Sequence, residues 1–232
     1  MILSVTPNQL SMKRKDALPD ELNATGAIAI QQQLREKVIC HDQLGSVDYV
    51  AGIDVGFKNH FSLTQAAIAV LRFPQLDLVE TAIATTPTTF PYIPGLLSFR
   101  EIPAILKAFD ILQTSPDLIL CDGQGIAHPR RFGIASHLGV LLDLPSIGVA
   151  KSRLIGHHGE IPVNPGEYTL LKDQTEIVGV VLRSRIRVKP LYLSIGHRLS
   201  LSTMINYVQR CLTKYRLPEP TRIADKLASG KF

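Results

Sequence analysis

The chain has no tryptophan and only three cysteines among its 232 residues. Cys40, Cys121 and Cys211 are far apart, and no Cys-x-x-Cys pair occurs. That argues against a zinc ribbon or a thioredoxin-type site, and an odd, sparse count suits a reducing compartment. No apolar run approaches the roughly 18 residues of a membrane span. The opening residues Met1-Ile2-Leu3-Ser4-Val5-Thr6-Pro7 lack the basic and then apolar segments of a secretory leader. The expectation is a cytoplasmic protein with no membrane partner. Disorder is not expected either, because 45% of the residues are hydrophobic and 19% charged, enough apolar surface for a core. No internal repeat or long linker divides the chain. A loose lead-in over residues 1–20 and one domain over residues 21–232 are expected.

Charge is unevenly placed. The net charge is +5, yet residues 181–232 hold 11 Lys/Arg against 2 Asp/Glu, while residues 1–180 hold 14 against 18. A basic final quarter fits a polyanion partner such as nucleic acid, or a solvated basic face. If residues 183–187 continue a strand, their alternation places Arg183, Arg185 and Arg187 on one face, with Lys189 beyond.

Apolar patterning predicts an α/β fold. A helix is expected over residues 20–38, capped by Asp20 or Asn23. Strand-like runs follow at residues 49–57, 66–71 and 76–84, a three-stranded meander with short connections. A loop carrying Pro87, Pro91, Pro94 and Gly95 leads to a helix over residues 98–112. Ser98 and Glu101 have the spacing of a capping box at its start. A buried strand over residues 117–121, a helix over 134–142 and a strand over 146–150 come next. Residues 155–175 read as loop, 177–182 and 191–195 as strands, and 200–215 and 220–228 as helices.

Two carboxylates stand where apolar runs end. Asp54 follows Val50-Ala51-Gly52-Ile53, and Asp122 follows Leu118-Ile119-Leu120-Cys121. Buried unpaired, each is costly. If the two strands are neighbours, the aspartates meet at one sheet end, and a helix start can bring Glu101 to them. Grouped carboxylates repel one another and call for a cation, and an all-oxygen set favours Mg²⁺ or Mn²⁺ over Zn²⁺. Taken singly, each residue also reads as a turn former or cap. After Asp122 come two glycines that allow close backbone approach to a ligand. His128 offers an acid, a base or a phosphate contact, and Arg130 with Arg131 offers phosphate contacts. Lys151 closes another strand as a cation for developing charge, or as an ordinary surface lysine.

Four segments together resemble the endonuclease V family of the ribonuclease H-like superfamily. They are Val50-Ala51-Gly52-Ile53-Asp54-Val55-Gly56-Phe57, the run Phe90-Pro91-Tyr92-Ile93-Pro94-Gly95-Leu96-Leu97-Ser98-Phe99-Arg100-Glu101, then Asp122-Gly123-Gln124-Gly125-Ile126-Ala127-His128-Pro129-Arg130, and Ile147-Gly148-Val149-Ala150-Lys151-Ser152. The segment Leu217-Pro218-Glu219-Pro220-Thr221-Arg222 is similar too. The resemblance runs from about residue 25 to about residue 228 and implies a ribonuclease H-like α/β fold, a central mixed sheet flanked by helices. It implies Asp54, Glu101 and Asp122 as metal-binding carboxylates for Mg²⁺, with Mn²⁺ an alternative, and Lys151 as the catalytic lysine. Tyr92 would be the wedge at the lesion, and Gly95, Leu97 and Gly123 would line a pocket for a flipped hypoxanthine. His128 and Arg130 would face the nucleic acid. Some members carry a His shortly after the segment at residues 217–222, where this chain has Asp225, which reads equally as a helix-surface aspartate.

The activity so implied is hydrolysis of the second phosphodiester bond 3′ to a deoxyinosine, leaving 3′-hydroxyl and 5′-phosphate ends. The expected partner is DNA containing deoxyinosine, single- or double-stranded, acted on by a monomer. Inosine-containing RNA is an alternative substrate. Another ribonuclease H-like nuclease and a non-catalytic nucleic-acid-binding protein are the rival readings. A dehalogenase-like phosphatase is disfavoured because its second aspartate would stand where this chain has Gln124.

Overall fold

The computed structural model describes residues 22–230, so the expected lead-in and Asp20 lie outside the described residues. Helix α1 (Ala24–Arg35) starts at Asn23, whose side chain accepts a hydrogen bond from the Gly26 amide at 2.8 Å. Strands β1 (Tyr49–Lys58), β2 (Leu63–Arg72) and β3 (Asp77–Pro87) form the expected meander. Helix α2 (Leu97–Phe109), strand β4 (Leu118–Cys121), helix α3 (Ile134–Leu142) and strand β5 (Ser146–Ala150) follow. Strands β6 (Tyr168–Asp173), β7 (Glu176–Leu182) and β8 (Leu191–His197) precede helices α4 (Leu201–Arg210) and α5 (Glu219–Ser229).

All eight strands join one mixed sheet in the order β3-β2-β1-β4-β5-β8-β7-β6. Strands β1, β4 and β5 are parallel at its centre, and every other neighbouring pair is antiparallel. Alternation along the strands divides the core into two layers. Val50, Leu118 and Leu120 face α4 and α5, with Met204, Val208, Leu227 and Ala228. Ala51, Ile53, Ile119 and Cys121 face α2 and α3, with Ile102, Ile105 and Leu138. Each side of the sheet is therefore covered, as parallel central strands require. No helix among the described residues is long and apolar enough to cross a membrane.

Three local expectations are corrected. Residues 155–175 are not all loop, because Tyr168–Asp173 is edge strand β6, paired with β7 along its length and bridged on its outer side by His157 at Lys172. Helix α2 begins at Leu97, its N-cap Leu96 has no side-chain cap bond, and Ser98 and Glu101 are buried rather than forming a capping box. Its period explains this: Ser98, Glu101, Ile102 and Ile105 share the stripe turned to the interior. Strand β7 ends at Leu182, so Arg183, Arg185 and Arg187 do not line one strand face. Arg183 instead donates to the carbonyls of Pro162 and Val188, and Arg187 has φ +61°. The carbonyls of this turn attract Arg183 inward, while Arg185 and Arg187 are exposed.

Candidate active site

The parallel register between β1 and β4 runs from Val50↔Leu118 to Ile53↔Cys121. The residues next in line are Asp54 and Asp122, and the Asp122 amide donates to the Ile53 carbonyl at 2.9 Å. Neighbouring strands thus bring the two aspartates together at one sheet end, as the sequence suggests. By alternation both share the parity of Val50 and Leu118, which is the α4/α5 side of the sheet.

Helix α5 then lies directly on β1. Gly52, Asp54 and Gly56 occupy one face of the strand at a spacing of two. A Cβ on Gly52 would fall well inside 3.0 Å of the Pro220 carbonyl, and one on Gly56 would meet the Ala228 oxygen at 2.6 Å. Thr221, Asp225 and Ala228 share one helix face, so the surface that meets these glycines also carries Asp225 over Asp54. Gln65 holds the end of the helix, donating to the carbonyls of Leu227 and Ala228. Carboxylate oxygens of Asp54, Asp122 and Asp225 consequently lie within 4.8 Å of one another. Asp225, doubtful in the sequence, belongs to the cluster; its sequence signal was the helical face it shares with Thr221 and Ala228.

Glu101 reaches the cluster from the opposite layer. It is buried and lies close enough to Asp54 and Asp122 to feel both, but it is not one of the three carboxylates within 4.8 Å. Burial, followed by the Asp54 and Asp122 charges, pushes its carboxyl up to about 8. Burial and Asp122 likewise hold Asp54 well above the ordinary carboxylate range. Lys151, just past β5, pairs with Asp122 and lies 2.5 Å from Asp225. Burial disfavours its ammonium, but Asp122, Asp225 and Asp54 outweigh that and raise its pKa. The donors fit a hard divalent cation: they are all carboxylate oxygens, and a cation among them would offset their mutual repulsion.

A cavity of about 420 Å³ opens beside the carboxylates. Tyr92, Gly95, Leu97, Gly123 and His128 line it, together with Glu101, Asp122 and Lys151. Its rim is a braced loop. Phe90, Leu96 and Phe99 pack with Ala27, while Tyr92 at the crest is 70% exposed. Gly95 takes φ +79°, a conformation suited to glycine. Its carbonyl accepts from Gln31 at 3.0 Å and from Arg130 at 2.6 Å. Gln31 is fully buried, also donates to the Phe132 carbonyl, and accepts from Arg130 Nε.

Two of the expected nucleic-acid contacts sit against this loop. Arg130 is turned inward to hold the Gly95 loop, so its Nε and Nη2 are already engaged. His128 is buried, and burial, then the neighbouring Arg130 charge, drops it to about 4, outweighing a hydrogen bond with the Gly95 backbone. His128 is therefore neutral at neutral pH, and it lines the cavity beside the Gly95 loop. Gln31 had no signal in the sequence beyond a polar residue on an apolar helical stripe.

The family model for Endonuclease V matches residues 32–226. A protein of Rippkaea orientalis named Endonuclease V is 67% identical over 88% of this chain and 90% of its own length. The crystal structure of an Endonuclease V from Streptomyces avermitilis superposes with a TM-score of 0.86 at 42% identity, covering 90% of this chain and 93% of that one. A Ciona intestinalis Endonuclease V, solved with a 24mer DNA containing an inosine followed by a ribo-adenosine, gives 0.76 at 31% identity, covering 88% and 95%.

Proposed function

As the chain belongs to the endonuclease V family, with its ribonuclease H-like fold, we propose that it is a divalent-metal-dependent endonuclease that recognises deoxyinosine and cuts the second phosphodiester bond 3′ to it. The observation that carries this reading is the joining of a three-carboxylate cluster to an adjacent cavity through Asp122, which belongs to both, with Glu101 and Lys151 on the cavity wall beside it. The Ciona relative's complex with inosine-containing DNA supports the choice of lesion.

Asp54, Asp122 and Asp225 would hold Mg²⁺ or Mn²⁺, which supplies an activated water and charge neutralisation at the leaving 3′ oxygen. Glu101, protonated at rest by its burial, hydrogen-bonds the ligand carboxylates or a water and keeps them in place. Lys151 faces the phosphate and balances charge that builds on its oxygens. The 5′-phosphate stays on the downstream fragment. The base enters the cavity by flipping, a step that a weakly paired hypoxanthine makes at lower cost than a normal base. Residues 97 and 98, in the first turn of α2, line the cavity. First-turn amides have no intrahelical partner and suit the carbonyl oxygen of hypoxanthine, where adenine presents an amino group. Guanine carries an extra amino group, which a pocket shaped to hypoxanthine would reject.

Tyr92 fills the gap that the base leaves. Its loop is already fixed by Gln31 and Arg130, so little entropy is lost when it inserts. Tyr92→Ala is expected to reduce the preference for inosine-containing over undamaged duplex by about 5- to 150-fold, the range for one base–aromatic stack of about 1–3 kcal/mol. The metal requirement should not change. Competition binding tests this, and an unchanged preference would reduce Tyr92 to a loop-stabilising residue.

A second reading, cleavage of inosine-containing RNA, is favoured by the ribo-adenosine that follows inosine in the Ciona complex. One panel tests both: end-labelled DNA and RNA oligonucleotides with a single inosine, adenosine or guanosine, incubated with Mg²⁺ and resolved at single-nucleotide resolution. Cleavage confined to inosine strands, one bond beyond the adjacent linkage, is the expected result. Cutting that ignores the inosine would overturn the reading.

A further inference from the structure

The β1–β2 hairpin carries a feature that no step above uses. Its turn, Asn59 to Ser62, places three consecutive non-glycine residues at positive φ: Asn59 at +48°, His60 at +52° and Phe61 at +68°. Asparagine tolerates this region, but a bulky phenylalanine held there is disfavoured. Apolar burial does not compensate, because Phe61 is 67% exposed. Strain and exposed aromatic surface thus coincide at one residue, a combination typical of ligand-contacting positions.

The turn is fastened to the loop that carries Tyr92. Arg100, the residue before Glu101, donates to the Phe61 carbonyl and to the Phe90 carbonyl, each at 3.4 Å. Its guanidinium lies 4.6 Å from the Phe57 ring centre and 6.0 Å from that of Phe61. The Thr88 amide donates to the Ser62 carbonyl at 2.9 Å. Phe61 therefore projects from a braced base at the same sheet end as Asp54. Lys58, four residues past Asp54, is about 13 Å along the strand, roughly four nucleotide steps of a stacked strand. Lys58 and His60 are exposed beside Phe61, and the run from Val55 to Leu76 contains no acidic residue.

We propose that Phe61 is a second aromatic contact for the substrate, stacking on a nucleobase of the bound strand a few nucleotides from the cut, with Lys58 and His60 along the phosphates. Every base has a face to stack on, so this contact adds affinity without reading sequence or lesion. The proposal rests on the nucleic-acid reading of the preceding section, and it extends the binding surface from the wedge loop to the neighbouring hairpin.

The test separates contact from architecture because glycine relieves the strain while deleting the ring. Unaltered protein, Phe61→Gly, Phe61→Leu and Phe61→Tyr are titrated against fluorescein-labelled single strands with and without inosine, in EDTA to prevent cutting. Thermal unfolding is measured on each. The expected result is a loss of about tenfold in affinity for both strands in Phe61→Gly and Phe61→Leu. Phe61→Tyr should retain affinity, and the unfolding midpoint of Phe61→Gly should be unchanged or raised. Binding by Phe61→Gly within twofold of the unaltered protein, or full affinity in Phe61→Leu, would overturn the proposal. So would an affinity loss that merely follows a lowered midpoint. Inosine-dependent cleavage by the unaltered protein is measured alongside: its absence would sink the endonuclease reading, whereas the aromatic dependence of strand binding decides the hairpin.

Discussion

Asp122→Asn is expected to reduce strand cleavage by on the order of 10³-fold or more while leaving affinity for inosine-DNA within about threefold. The magnitude is that of removing a member of a catalytic unit. Asparagine keeps the shape but gives up the charge that three other groups depend on. Asp122 is a member of the carboxylate cluster, the ion-pair partner of Lys151 and a wall of the cavity. Without its charge the cation is held less tightly and Lys151 is left to Asp225. Binding should survive because the wedge loop is braced elsewhere, by Gln31 and Arg130 on the Gly95 carbonyl. Single-turnover cleavage and anisotropy titrations check the two halves. Near-normal Mg²⁺-dependent cutting by the variant would remove Asp122 from the metal site, and a parallel collapse of binding would make its role structural.

A methyl group placed at Gly52 is expected to damage the site from farther away. In Gly52→Ala the new Cβ meets the Pro220 carbonyl and the Thr221 amide, which are backbone and cannot rotate aside. Helix α5 must lift, taking Asp225 away from Asp54. Overpacking costs about 1–3 kcal/mol, and a backbone clash belongs at the upper end. For a chain of this length that lowers the unfolding midpoint by roughly 5–10 °C. Cleavage should fall at least tenfold even where the variant is fully folded. Gly45→Ala, with open space around the added carbon, is the matched control and should be neutral. Asp225→Asn should reproduce the loss of cutting without the loss of stability. Full activity in a stable Gly52→Ala protein would show that the position of α5 does not matter to the site.

Much of this arrangement was legible in the sequence because it follows from local rules. Apolar runs ending in Asp54 and Asp122 foretold two strands with carboxylates at one end, and parallel pairing put them side by side. Helices α3 and α5 and strand β5 followed from periodicity and from the prolines that bound them. What failed locally was decided by tertiary contacts. Ser98 and Glu101 have the spacing of a capping box, yet α2 turns both inward: Ser98 to a buried hydrogen bond with His137 at 3.1 Å, Glu101 to the carboxylates. Spacing alone does not distinguish a cap from two polar residues on a buried functional face. Strand β6 borrows its order from β7, and of its own residues only Leu171 is buried. Arg183 reads as one more alternating cation until the carbonyls of Pro162 and Val188 are in place. Asp225 is one acid on an amphipathic helix, and only the Gly52 and Gly56 contacts explain why that helix lies close enough for the acid to count.

The most direct measurement is Mn²⁺ anomalous diffraction from crystals soaked in that ion. The account predicts a peak bounded by Asp54, Asp122 and Asp225, with metal–oxygen distances near the roughly 2.0–2.2 Å typical of such ions. Lys151 should no longer bridge Asp122 and Asp225 once the ion is present. The same peak should be missing in Asp122→Asn crystals. Anomalous density elsewhere in the molecule, or none among these carboxylates while the soaked protein still cuts inosine-DNA, would contradict the claim that this cluster is the catalytic metal centre.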